Sequence, residues 1–453
     1  MSTLALARNV SNTTFEDLPG DAVEATKKSI LDILGVMFPP TTLVETCASV
    51  YELMKEAGGK PESTIIGFGG KAPCWIAAYI NGSLTHAIDF DDCVGLENPI
   101  THPTGSCFPA ALAVAERAGR VSGKELITAV ALGNDLDVRL ASCPRKSILT
   151  DYPFFSITTF GVFAAAAVSA KLLGLSEPEI VNALGLALNR VSGVKEGLFG
   201  SDLRAIRDGL SNREGVLCAL LAGKGIDSCK NAIELLFKVY YDDDINPQFL
   251  TDDLGKHFRG SEVGFKPWPS CLGTHTYLQA VLQAVRDYDI QLEQVDEIIM
   301  SGNKWAVDLF TPLEIKQKPT TSITAKTAIP FIVGVALVYR NVTIERFLPE
   351  NLGDPRVLEI AKKVKYKPDP ELGSFSSRVE FKTRDGKTYH TSVDVLRGCI
   401  KNPLSVEELT AKFKDCARYA RKPLSAGKVD YLVESILNLE KVKNISEITD
   451  ILG

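Results

Sequence analysis

Basic runs, C-x-x-C pairs, nucleotide-binding glycine fingerprints and membrane-length apolar segments are all missing from this chain of 453 residues. Each absence removes a class of function. Lys plus Arg number 50 against 56 Asp plus Glu, a formal charge of −6, so the electrostatic footprint of a nucleic-acid binder is not there. Ten cysteines are scattered, and a chain of this length needs no disulfide framework to supplement its core, so reduced thiols and a cytoplasmic setting are expected. The N-terminal stretch MSTLALARNVSNTTFEDLPG is interrupted by Arg8 and does not read as a secretory signal. The apolar run 160–170 falls far short of the roughly 20 residues of a bilayer span, so no membrane partner is expected. No G-x-G-x-x-G follows a strand, and neither G-x-x-x-x-G-K-[ST] nor G-x-S-x-G occurs, so nucleotide-dependent and α/β-hydrolase chemistry lose their support.

What is present is a globular composition, 45% hydrophobic and 23% charged, in a chain large enough to bury about three quarters of its surface. Apolar residues at three and four spacing predict helices over 21–38, 75–90, 106–118, 122–141, 160–173 and 177–188. Two of these open with capping boxes, Ser122 with Glu125 and Ser176 with Glu179. After Phe265 the texture changes. A helix over 273–288, a strand over 294–301 and a helix over 325–339 lead to strands over 377–383 and 388–393, joined at an Asp-Gly hairpin signal, Asp385-Gly386. Ser405 with Glu408 opens a return to helix. The expected fold is mainly α with an α+β insertion: a helical domain of residues 1–263 completed by 398–453, and a smaller α+β domain of 264–397.

Three polar patches carry the candidate chemistry. The first runs His86-Ala-Ile-Asp89-Phe-Asp91-Asp92, followed by Thr101-His102-Pro-Thr104-Gly105. Three carboxylates at a helix C-terminus repel one another and oppose the macrodipole, so local stability does not favour them there. Imidazole and carboxylate together suit proton transfer; a solvated helix end is the competing reading. In the second patch Arg204 and Arg207 stand three apart, on one helical face, where guanidinium forks can grip carboxylates; a surface helix with ordinary ion pairs competes. The third, Lys266-Pro-Trp-Pro-Ser270-Cys271 with Thr274-His275, has prolines that fix the backbone around Lys266 and Cys271; a rigid crossover capping a helix competes. No zinc spacing such as H-E-x-x-H occurs. Magnesium on Asp91 and Asp92 with waters is the metal alternative left open. The expectation is a metal-free, cofactor-free acid/base set.

In chain order, His86-x-x-Asp89-Phe-Asp91-Asp92, Thr101-His102-Pro-Thr104-Gly105, Lys171-Leu-Leu-Gly174-Leu175-Ser176, Lys266-Pro-Trp-Pro-x-Cys271-x-x-Thr274-His275 and Ala325-Lys326 together resemble the MmgE/PrpD family. That family includes 2-methylcitrate dehydratase, cis-aconitate decarboxylase and iminodisuccinate epimerase. The resemblance implies a large all-helical domain built from both chain ends, a smaller α+β lid domain, and a homodimer with its active site between domains. Asp89 and His102 match the family's active-site Asp and His, and Lys266 its crossover lysine. Four positions depart from the decarboxylase: Phe155 and Arg207 stand for histidines, Arg204 for a lysine, and Cys271, shared with other members, for a further histidine. Anion binding is thereby kept while imidazoles are lost, so Asp91, Asp92, Lys266 and Tyr152 join the acid/base candidates. Arg204, Arg207, Cys271, Asp92 and Thr101 are the expected substrate-binding residues. Dehydration of a 2-methylcitrate-like polycarboxylic acid is expected first. An epimerase or isomerase using Lys266 and Tyr152, a cis-aconitate-type decarboxylase, and an inactive dimeric binding protein are the alternatives.

Overall fold

The computed structural model describes residues 1–94, 101–148, 151–195 and 201–453, the side chains of 304 and 305 excepted. They form two compact units, one of Met1–Ala87, Asp91–Val263 and Ser405–Gly453, the other of Ile88–Phe90 and Gly264–Leu404.

The larger unit is built around the helix Ser156–Leu172, buried all round from Ser156 to Ala170, as an Ala-rich helix without a polar face must be. Helices Pro103–Ala118, Gly123–Ser142, Glu177–Leu188 and Leu203–Ala222 pack against it. Leu203–Ala222 also packs on Cys74–Thr85. That approach is close because glycines meet: a Cβ added at Gly82 would lie 2.7 Å from the Gly209 Cα. The capping boxes at Ser122, Ser176 and Ser405 form as expected. From the C-terminal segment, Val406–Ala417 and Ala426–Leu437 pack on Gly20–Val36, so both chain ends build this unit. It is not purely helical. Strands β1 (Ser63–Thr64) and β2 (Lys71–Ala72) pair as a short antiparallel ribbon.

The smaller unit has a four-stranded sheet, β3 (Val295–Gly302), β4 (Val364–Pro368), β5 (Ser377–Thr383) and β6 (Thr388–Val393), in the order β4-β3-β5-β6. β3 and β4 are parallel and the other pairs antiparallel. The β5–β6 hairpin turns at Gly386, whose φ of 84° suits a residue without Cβ. Helices His275–Tyr288 and Ile329–Tyr339 pack on each other, and His275–Tyr288 also packs on β5 and β6. Residues 398–404 fold with this unit, where the Gly398 carbonyl accepts the Phe265 N–H at 2.8 Å.

Local expectations fail at definable places. The helix expected over 325–339 is broken into Ser322–Ala325 and Ile329–Tyr339, because Pro330 can only enter a helix in its first turn. The helix expected over 75–90 ends at Thr85. Helix Ser2–Asn12 and strand β4 were not anticipated; β4 buries only Val364 fully, too little for an alternation signal. Among the described residues no single helix is long and apolar enough to cross a membrane.

Candidate functional site

Ending at Thr85 releases the acidic run from the helix terminus, which removes the clash with the macrodipole. The Thr85 hydroxyl bonds back to the Gly82 carbonyl at 2.8 Å. Asp89 then adopts a left-handed conformation, φ 57°, which Asp tolerates better than most residues. Solvent exposure decides between the readings of this patch: Asp89 is 5% exposed, and Asp91 and Asp92 are 0% exposed. It is not a solvated helix end.

In the larger unit, Asp91 lies between two imidazoles. His86 Nδ1 is 2.9 and 3.0 Å from its two carboxylate oxygens. His102 Nδ1 is 2.9 Å from Asp91 Oδ2 and 2.7 Å from the Asp92 carbonyl oxygen. A carbonyl only accepts, so His102 Nδ1 carries the proton and the lone pair of the neutral ring is on Nε2. His102 sits at the N-cap of Pro103–Ala118, where Pro103 starts the helix and holds the residue in place. His86 stays neutral: burial, reinforced by the Arg207 charge, holds it well below the ordinary histidine range despite the pull of Asp91.

Three buried carboxyls in this unit meet a threonine hydroxyl: Asp92 accepts from Thr104 and Asp137 from Thr101, and Asp208 Oδ2 lies 3.2 Å from the Thr85 hydroxyl that also bonds the Gly82 carbonyl. Burial pushes Asp92 well above the carboxylate range, Asp137 up to about 7 and Asp208 upward, with the threonine bonds opposing it. Behind Thr104 the bonds continue, Asn134 donating to Thr104 Oγ1 at 3.0 Å and the Cys107 thiol to Asn134 Oδ1 at 3.3 Å. Such a network fixes the loop that carries His102.

His86, Asp91 and His102 offer donor atoms within 4.8 Å of one another and could hold a metal ion. His86 Nδ1 bonds Asp91 and His102 Nδ1 bonds the Asp92 carbonyl, which leaves Nε2 as the ligating nitrogen of each ring. Asp91 and Asp92, the pair left open for magnesium, serve different partners, the histidines and Thr104.

In the smaller unit Lys266, 1% exposed, grips Asp89 twice, Nζ to Oδ1 at 2.6 Å and to the carbonyl oxygen at 3.3 Å. The ion pair therefore also holds the left-handed residue. Cys271 is half-buried, and its N–H donates to the Lys326 carbonyl at 3.0 Å. His275 Nε2 donates to the Ser270 carbonyl at 3.2 Å, which ties the first residue of its helix to the segment before it.

Arg207, also of the larger unit, is buried, with its guanidinium 4.3 Å from the Phe155 ring centroid and Nε 3.5 Å from Asp208 Oδ1. Arg204, one turn earlier on the same helix, is half-buried. The surface-helix reading therefore fails for Arg207. Phe155 and Arg207, both read from the sequence as replaced histidines, stand in contact. Tyr152 is not brought to the His86–Asp91–His102 group: its ring packs on Tyr241, centroids 4.7 Å apart, in an apolar cluster with Phe160 and Phe163. Sequence reasoning placed His86 in the acid/base patch without a role of its own and did not single out Asp137 or Asp208. The available signal for Asp137 was a run of Asn134, Asp135, Asp137 and Arg139 inside an otherwise apolar helix, since such residues are buried only when partnered.

The MmgE/PrpD N-terminal domain family matches residues 4–242, and the MmgE/PrpD C-terminal domain family matches residues 268–430. Cis-aconitate decarboxylase of Homo sapiens is 26% identical over 454 residues, covering 95% of this chain and 90% of that protein. Its Mus musculus counterpart is 26% identical over 446 residues, covering 95% and 89%. Cis-aconitate decarboxylase of Aspergillus terreus is 23% identical over 479 residues, covering 98% and 94%.

Proposed function

Since the chain belongs to the MmgE/PrpD family, we propose that it is a cofactor-independent lyase that dehydrates a 2-methylcitrate-like di- or tricarboxylic acid. The observation that carries this reading is the His102 ring, protonated on Nδ1 by its bond to the Asp92 carbonyl and set beside the buried Asp91 carboxylate. Nε2 is then the basic nitrogen and takes the proton from the carbon next to a substrate carboxylate, while Asp91 balances the imidazolium that forms. His86 holds Asp91 in place. Arg204 and Arg207 bind substrate carboxylates and offset the charge developing on the carbanion. As the carbon–oxygen bond breaks, the His102 imidazolium passes that proton to the departing hydroxyl, which leaves as water and restores the neutral ring. A homodimer is part of the same proposal, to be checked by analytical ultracentrifugation.

Decarboxylation of a cis-aconitate-type acid is the second reading, favoured by the names of the relatives. Against it stand Phe155 and Arg207, which bind charge and ring faces but move no proton. Incubation of the full chain with 2-methylcitrate in deuterium oxide, followed by proton NMR and alkene absorbance, tests the first reading. An alkene formed with all carboxylates retained supports it. Deuterium entering recovered substrate with no alkene indicates an epimerase, and carbon dioxide released from cis-aconitate indicates the decarboxylase.

A further inference from the structure

We infer that Lys316 forms a carboxylate-binding subsite in the smaller unit, joined through the 326–327 backbone to Cys271. Lys316 lies on the short helix Leu313–Gln317 and is buried. Its Nζ donates to the Thr327 carbonyl at 3.0 Å and to Thr327 Oγ1 at 3.1 Å. The polarity of the second bond is fixed, because the Thr327 hydroxyl gives its own proton to the Thr324 carbonyl at 3.0 Å. An ammonium has three N–H groups, and two are used here on neutral oxygens.

Lys266, the buried lysine at the start of this unit, has the Asp89 carboxylate at 2.6 Å. Among the described residues Lys316 forms no such ion pair; burial lowers its hold on its proton, and the charges of Cys271 and Asp308 oppose that only in part. A buried cation without a counter-ion is costly, and an arriving carboxylate relieves that cost while taking the third N–H. The 326–327 segment ties the position to the candidate substrate residues: Lys326 accepts the Cys271 N–H at 3.0 Å, and the next residue holds Lys316.

The choice of carboxylate as the ligand rests on the proposed polycarboxylate lyase reading, whereas binding can be read without turnover. Citrate is titrated calorimetrically into the full chain and into Lys316→Met and Lys316→Arg, with thermal unfolding as the folding control. The expected result is a loss of about tenfold to a hundredfold in citrate affinity for Lys316→Met, the worth of one charge-assisted contact, with most of it kept in Lys316→Arg. Equal citrate affinity in Lys316→Met and the unmodified chain overturns the subsite whatever the turnover, as does the absence of citrate binding to the unmodified chain. Citrate binding that depends on Lys316 in a protein that turns over no acid leaves the subsite standing and removes the lyase reading. Should Lys316→Met fail to fold, Lys316→Gln is judged by the same measure.

Discussion

Replacing Asp91 by Asn tests the proposed role of the buried carboxylate with little change of shape. In the proposed reaction the His102 ring becomes an imidazolium, with Nδ1 2.9 Å from Asp91 Oδ2. Charge centres about 4 Å apart attract by about 4 kcal/mol at an effective dielectric constant of 20. This attraction is absent from the neutral ground state and present when the proton has moved, so it belongs to the barrier. At 1.36 kcal/mol per factor of ten, its loss lowers kcat by about a thousandfold. KM should change little, because Asp91 is 0% exposed and the proposed substrate contacts lie on other residues. The amide oxygen can still accept the His86 Nδ1–H, so the melting temperature should move by only a few degrees, unlike that of Asp91→Ala, which removes the carboxylate that His86 Nδ1 bonds at 2.9 Å. Steady-state kinetics on the substrate identified by NMR, with thermal unfolding of the same samples, measure both effects. An Asp91→Asn enzyme that keeps more than a tenth of kcat, or whose loss lies wholly in KM, refutes the reasoning.

Asp137 makes a pH-dependent prediction: burial raises its carboxyl to about 7, against about 3.9 unfolded. The folded state therefore keeps a proton that the unfolded chain has released in that window, and stability falls as pH rises from about 4 to 7. Asp137→Asn keeps an acceptor for Thr101 and cannot ionise, so its urea midpoint should gain on the unmodified chain between pH 5 and pH 8; a constant difference contradicts this. Lys266→Met takes the ammonium away from the buried Asp89 carboxylate and should cost about 3–5 kcal/mol, with part recovered in the double variant Asp89→Asn, Lys266→Met; thermal unfolding of these two, of Asp89→Asn alone and of the unmodified chain measures the coupling. Gly82→Ala forces a Cβ to within 2.7 Å of the Gly209 Cα and 3.0 Å of its nitrogen, and the overpacking of about 1–3 kcal/mol outweighs the gain in helix propensity. An unchanged urea midpoint would show that the two helices can separate.

What was legible in the sequence followed local periodicity and local chemistry. The helix Glu177–Leu188 and the strands of the β5–β6 hairpin match their expected spans, because a capping box and an Asp-Gly turn mark their ends. The acidic run 86–92 was legible as unusual, since three carboxylates at a helix end are unfavourable. That the helix would stop at Thr85 was not, because the left-handed Asp89 is held by Lys266, 177 residues away in the chain. The same limit hid the roles of Asp137 and Asp208. Their partners Thr101 and Thr85 lie 36 and 123 residues away, and no spacing rule connects them.

The five histidines of the chain, taken one by one, narrow the choice of proton carrier. His257 is exposed and pairs with Glu262 at 2.8 Å, and His390 is exposed on β6; both behave as surface groups. His275 uses Nε2 on the Ser270 carbonyl, which fixes its proton there. His86 is held neutral by burial and by the Arg207 charge while it donates to Asp91. His102 alone joins a proton fixed on Nδ1, a carboxylate within 2.9 Å and a loop braced by threonine–aspartate bonds. Had Arg207 been an imidazole, as at the matching decarboxylase position, a second proton carrier could share the work in the larger unit. With a buried guanidinium stacked on Phe155 instead, that unit keeps one imidazole suited to proton transfer and a fixed cation. One base and a fixed cation suit removal of one proton beside a carboxylate better than exchange on both faces of a carbon.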